Sequence, residues 1–188
     1  MFNSSINFLV QSIEKSMVIE ENNMFYQKFD NFFGKEMLEH INLEIDSLEK
    51  EKLMNQTNTE REKSKDSQKL IKELMILFSH ASVRNCLGQK YKMNFRLSSL
   101  DIWYDYPGYF LLPHVDNDSI KMSMQIYLGK DTQPGTVLFD SLDATKYFDK
   151  FEFKYNSGYS MLHSGSSFHG VEYPVKQGVR KSLYVRYR

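Results

Sequence analysis

The chain has 188 residues, enough for one domain with a sizeable core. Its 24 Lys and Arg balance its 24 Asp and Glu, so a formal net charge of zero offers no global attraction to nucleic acid or to an anionic membrane. Fourteen Phe and twelve Tyr argue against disorder, and a single cysteine, Cys86, excludes an internal disulfide.

No apolar run is long enough to span a bilayer, and the short stretch Phe8-Leu9-Val10 has no basic leader before it. The expectation is a soluble, cytoplasmic protein without a membrane partner. Ile6, Leu9, Val10, Ile13 and Met17 recur at helical spacing and predict an amphipathic helix over 4–19. The stretch Met24–Phe29 reads as a strand, which Asp30 or Asn31 can end. Leu38, Ile41, Ile45 and Leu48 predict a second helix over 35–48. Residues 49–69 are charged and polar with almost no apolar anchor. They read as a mobile loop, with a solvated helical extension as the alternative. A third helix is predicted over 67–80 on Leu70, Ile71, Leu74, Leu77 and Phe78.

After Gly88 the pattern changes to short strands: 97–106, 109–115, 122–128, 136–139, 150–155, 158–162, 168–173 and 180–187. Turn residues separate them, among them Pro107-Gly108, Asn117-Asp118, Pro134-Gly135 and Gln177-Gly178. Eight short strands behind a helical layer predict an α+β, mainly β fold, a double-stranded β-helix or jelly roll. Residues 97–188 would form its core and residues 1–96 a helical support, in one domain without internal repeats. Trp103, the sole tryptophan, is expected to face the core.

Within that strand region, His114 and Asp116 lie two apart, so a strand points both to one face. His169 comes from a later strand. Two histidines and one carboxylate form a facial triad for Fe(II), which leaves open positions for a bidentate cosubstrate and for O2. No four-ligand, closed set of cysteines and histidines is present. His40 and His80 read as structural, while His163 is read as either core filler or a neighbour of the same cavity.

The segments around the triad carry a resemblance. Tyr106-Pro107-Gly108-Tyr109 leads into His114-Val115-Asp116-Asn117, Gln125-Ile126-Tyr127-Leu128 precedes Pro134-Gly135-Thr136, and Phe168-His169-Gly170-Val171 is followed by Arg180-Lys181-Ser182. In these three ordered blocks, residues 97–188 resemble the iron(II)- and 2-oxoglutarate-dependent dioxygenases, nearest in motif to the prolyl hydroxylase branch. The resemblance implies iron, 2-oxoglutarate as cosubstrate and O2, with succinate and CO2 released as a C–H bond is hydroxylated. It implies that Arg180 pairs with the distal carboxylate of 2-oxoglutarate, a group that an arginine fork suits. It also implies a hydroxyl donated by Tyr127, with Tyr106 and Ser182 as further contacts. Related halogenases have a small residue where this chain has Asp116, so the carboxylate favours hydroxylation.

Some features depart from the branch. Gly170 stands where an acidic residue is common, and the spacing from Gly108 to His114 is short. The substrate is therefore left between a small metabolite or amino acid and a prolyl-type peptide, with residues 49–69 as a lid or a flap. Two other readings stay open. Arg180 and Arg186 resemble an arginine pair of the nucleic-acid demethylases of the same superfamily, although alternation along 180–188 is explained by a barrel strand with a solvated face. A cupin-like protein could hold a metal without turnover, but would have no use for a buried arginine facing it.

Overall fold

The computed structural model describes residues 2–52, 60–117 and 119–188. The chain order is α1 (Phe2–Lys15), β1 (Ile19–Glu21), β2 (Met24–Phe29), α2 (Lys35–Glu44), β3 (Lys50–Lys52), β4 (Arg61–Ser64), α3 (Lys69–Ser79) and α4 (Ala81–Tyr91). Then follow β5 (Leu97–Asp105), β6 (Met122–Tyr127), β7 (Thr136–Leu138), β8 (Asp149–Phe151), β9 (Gly158–Leu162), β10 (His169–Val171) and β11 (Arg180–Tyr187).

Eight strands form a major sheet in the order β1-β2-β9-β6-β11-β5-β4-β3, and β10-β7-β8 form a minor sheet. Every pairing is antiparallel. This is the predicted jelly roll with its helical layer. The two-residue period of the central strands explains which side the helices cover. Leu100, Ile102 and Tyr104 of β5, Met122, Met124 and Ile126 of β6, and Leu183, Val185 and Tyr187 of β11 belong to one buried apolar cluster. Ile6, Leu9 and Ile13 of α1 and Leu70, Leu74, Leu77 and Phe78 of α3 belong to the same cluster. The alternate residues, Asp101, Trp103 and Asp105, then Ser123 and Gln125, then Arg180, Ser182 and Tyr184, take the opposite face, towards the minor sheet.

Several predicted boundaries shift. The strand expected over 109–115 forms only one isolated bridge, His114 with His169. Its backbone still docks on the minor sheet's end, because Val171 N–H donates to Leu111 O and Val175 N–H to Tyr109 O. Helix α4 was not anticipated. It is weakly amphipathic, with His80 as its N-cap accepting from Ser82 N–H at 3.3 Å. Residues 50–52 and 61–64 are strands β3 and β4, not the expected loop or helix. Backbone pairing with β5 organises β4 where side-chain burial gives no periodic signal. The rest of that expectation, residues 53–59, lies outside the described residues.

Two turns set the geometry locally. Pro107 and Gly108 occupy the centre of a turn closed by Tyr109 N–H on Tyr106 O at 2.9 Å. Gly108 has φ +96°, which a side chain would strain, and the pair matches a type II turn. Asn22 and Asn23, at φ +49° and +61°, form the two-residue hairpin between β1 and β2.

Candidate metal centre

His114, Asp116 and His169 come together, each offering a ligand atom within 4.8 Å of the others. The backbone chooses which imidazole nitrogens face inward. His114 Nδ1 lies 3.0 Å from Leu112 O, and His169 Nδ1 lies 2.9 Å from Ser167 O. A carbonyl can only accept, so both Nδ1 atoms carry the proton and both Nε2 lone pairs are free. The two Nε2 atoms stand 3.5 and 3.8 Å from Asp116 Oδ1. The other carboxylate oxygen is occupied: Tyr184 donates its hydroxyl to Asp116 Oδ2 at 2.6 Å. His163 places Nε2 3.3 Å from Asp116 Oδ2 and 2.8 Å from Ser123 Oγ. It thus stands beside the triad. His40 contacts Glu73 and His80 caps α4, both away from the triad.

Electrostatics leave His169 neutral and Asp116 ionised, and the Asp116 charge draws a proton or a cation towards His114. Burial, opposed by the Asp116 carboxylate, pushes His169 down to about 4, so it is neutral at pH 7. Burial also disfavours charge on His114, but Asp116 and the Leu112 carbonyl outweigh it and hold its pKa above the ordinary value. Partial burial raises the pKa of Asp116, yet His114, His169, His163 and Tyr184 together hold it well below the carboxylate range. Two imidazoles and one carboxylate are the donor set suited to Fe(II) with open positions.

The triad lines a cavity of about 410 Å³, a volume within the range of small-molecule sites. Arg180 is 1% exposed in its wall, with Nη1 2.7 Å from Asp105 Oδ2. Its Nε donates to Pro134 O at 2.9 Å and its Nη2 to Thr136 Oγ1 at 3.3 Å. Arg61 shares the same carboxylate, at 2.5 Å to Oδ1 and 3.1 Å to Oδ2. Its guanidinium lies between two rings, 4.5 Å from the centroid of Trp103 and 4.1 Å from that of Tyr109. Two guanidinium groups on one carboxylate, Arg180 fully buried and Arg61 15% exposed, leave an excess positive charge. The buried hydroxyl of Tyr109 has no hydrogen-bond partner among the described residues. This charge and the free hydroxyl fit a carboxylate ligand.

The other expected cosubstrate residues sit elsewhere. Tyr127 is not in the cavity wall: its hydroxyl donates to Thr136 Oγ1 at 3.0 Å and accepts from Thr136 N–H at 3.2 Å. It packs instead under Arg180, whose guanidinium is 5.4 Å from its ring centroid. Ser182 accepts from Gln125 Nε2 at 2.8 Å, and it is Gln125 that lines the cavity. Tyr106 donates to Glu62 at 2.8 Å, outside the cavity. Trp103 lines the cavity and does not face the helical core. Arg186 also lines it with a side chain 31% exposed, so Arg180, Tyr184 and Arg186 of β11 face the cavity.

Arg61, Tyr109, Gln125, Tyr159 and Tyr184 line this cavity without having been singled out from the sequence. Tyr184 was within reach, since it shares a strand face with Arg180 and Ser182. Arg61 gives no local signal, lying among the charges of residues 49–69.

No family model matches the chain, and no curated protein matches it in sequence. Solved structures do. An oxidoreductase of the 2OG-Fe(II) oxygenase family from Burkholderia pseudomallei superposes with a TM-score of 0.69 at 14% identity, covering 97% of this chain and 90% of that one. A prolyl hydroxylase from Trichoplax adhaerens, in complex with a hypoxia inducible factor peptide, gives 0.61 at 11% identity over 97% and 88%. HygX from Streptomyces hygroscopicus, with nickel, 2-oxoglutarate and hygromycin B bound, gives 0.60 at 10% over 86% and 82%. This chain therefore has the double-stranded β-helix fold that those 2-oxoglutarate oxygenases share.

Proposed function

We propose that this protein is an Fe(II)- and 2-oxoglutarate-dependent oxygenase that hydroxylates a C–H bond of its substrate. One observation carries the reading: a single cavity holds a two-histidine, one-aspartate set with inward-facing Nε2 atoms and, in the same wall, the buried Arg180 and the partly buried Arg61 sharing one carboxylate. A cupin-like metal protein without turnover has no use for the second feature. Similar structures carrying 2-oxoglutarate and a metal support the assignment.

His114, Asp116 and His169 would hold the iron. Fe(II) in that position, with 2-oxoglutarate and O2, supplies coupled chemistry in which the cosubstrate becomes succinate and CO2 and one oxygen atom enters the C–H bond. The chain's own residues bind and orient. Arg180, with Arg61 and the Tyr109 hydroxyl, grips the distal carboxylate. Tyr127 and Ser182 act through Arg180 and Gln125, and Tyr106 has no direct part. Tyr184 keeps Asp116 presenting Oδ1. Walls formed by Leu111, Val171 and Tyr159 limit access of water. We place the protein in the cytoplasm because one cysteine suits a reducing compartment.

The test is anaerobic titration of Fe(II) and 2-oxoglutarate, followed by succinate measurement in air. A weak visible charge-transfer band and uncoupled succinate are expected; neither appearing refutes the oxygenase reading. Arg180→Ala is expected to lose 2-oxoglutarate binding while retaining metal. Unchanged cosubstrate affinity in a folded Arg180→Ala protein would refute the role given to that residue.

A further inference from the structure

Two carboxylates on β5 each gather two cations in the cavity wall. Asp105 holds Arg61 and Arg180. Asp101, four residues back on the same face, holds Lys63 of β4 at 3.1 Å and Arg186 of β11 at 2.6 Å. Tyr184 lies between Arg180 and Arg186 on β11 and donates to Asp116. The row of cavity residues on β11 thus has the metal ligands over its middle and a cationic cluster towards each end. In the proposed oxygenase the first cluster grips the distal carboxylate, and the second has no such task.

That second cluster contains unmet donors. Arg186 Nε and Trp103 Nε1 are buried and have no hydrogen-bond partner among the described residues. Both residues line the cavity. Each nitrogen can only donate, so the group that satisfies them must accept. Charge narrows the choice. Asp101 is 3% exposed and faces two cations. Glu51 and Asp66 also reach Lys63, at 3.4 and 3.5 Å, but they are 44% and 70% exposed, where water screens them. Leu111, Ile120 and Val171 give the same cavity an apolar wall.

We propose that this end of the cavity binds an anionic oxygen group, a carboxylate or phosphate, of a small substrate with an apolar body. Arg186 is its specificity-determining residue and Trp103 Nε1 its second donor. The word substrate rests on the oxygenase reading; the anion site itself does not. A cavity of about 410 Å³ that also takes 2-oxoglutarate leaves room for a small molecule.

Trp103 is the only tryptophan, so its emission reports on this end of the cavity. The protein, loaded with Zn(II) and saturated with 2-oxoglutarate to prevent turnover, is titrated with three probes that share one apolar body: isovalerate, isoamyl phosphate and uncharged isovaleramide. At least one anion is expected to change the emission saturably, and the amide is not. The better of the two anions identifies carboxylate or phosphate. Arg186→Gln is expected to weaken that anion about tenfold or more while 2-oxoglutarate affinity stays within about twofold. Arg186→Lys, which keeps a charge beside Asp101 but lacks Nε, is expected to fall between them and serves if the glutamine variant does not fold. The proposal is overturned if neither anion binds, if the amide binds as well as the anions, or if Arg186→Gln leaves anion binding unchanged. Should 2-oxoglutarate fail to bind while an anion still binds in an Arg186-dependent way, the oxygenase reading fails and the anion site stands.

Discussion

At the residue scale, the metal site depends on hydrogen bonds that its ligands make on their far sides. Leu112 O and Ser167 O hold the Nδ1 protons of His114 and His169, and so aim Nε2 inward. Tyr184 does the corresponding work for Asp116. Removing such an outer partner typically weakens metal binding by about 10–100-fold. Tyr184→Phe keeps the packing and deletes only that donor, so a loss of this size is expected in calorimetric titration with Mn(II). Unaltered affinity would show that Asp116 needs no such support. His114 and Asp116 were legible from their two-residue spacing. Tyr109 and Arg61 were not, because a free hydroxyl and a shared carboxylate are properties of neighbours brought from other strands.

At the element scale, the two sheets are joined where chains approach closely. Gly170, beside His169 on β10, faces the 111–112 backbone: a Cβ there would stand 2.7 Å from Leu111 O. The residue that departs from the prolyl hydroxylase pattern therefore has a packing reason. Gly170→Ala is expected to cost about 1–3 kcal/mol, read as a lower Tm, and to weaken metal binding by displacing His169. A second junction ties β2 to β8. Asp149 receives Lys28 Nζ at 2.6 Å and the Tyr26 hydroxyl at 2.5 Å. Burial raises the Asp149 pKa, but these donors outweigh it and leave it below the ordinary value. A carboxyl whose folded pKa is depressed stabilises the fold above its unfolded pKa, near 3.8, and that contribution is lost as pH falls through the folded value. Stability of the wild type should therefore fall more steeply below about pH 4 than that of Asp149→Asn. Parallel acid-denaturation curves for the two proteins would contradict this.

At the scale of the whole molecule, one sheet carries two different surfaces. The helical side is apolar and supplies the packing; the cavity side is polar and carries charge. Asp105 is the point where β4, β5 and β11 are held together, since it is fully buried and binds an arginine from each neighbour. Asp105→Asn leaves the buried Arg180 and the partly buried Arg61 without their carboxylate. Breaking a buried ionic cluster in this way costs about 3–5 kcal/mol, measurable by urea denaturation. Leu74→Ala, on the helical side, acts by a different route: it opens a cavity in the core and costs about 2–5 kcal/mol without changing metal affinity.

By itself the sequence determined the features whose signal is local. The 3.6-residue period marked α1, α2 and α3, turn residues bounded the short runs that form β5, β6 and β11, and the spacing of His114 and Asp116 placed two ligands on one face. What only the tertiary structure decided depends on partners distant in the chain. Helix α4 has a weak apolar stripe and is held by packing against α1 and α3. Strand β4 has no periodic burial, and backbone pairing with β5, some forty residues on, makes it a strand. Both faces of β5 are buried from Leu100 onward, so alternation could not tell whether Trp103 faces helices or cavity. The charged segment that composition read as loop or solvated helix supplies Arg61 and Lys63 to the cavity wall. Their charges are compensated by Asp105 and Asp101, and a carboxylate reached only through the fold leaves no mark beside the residue it neutralises.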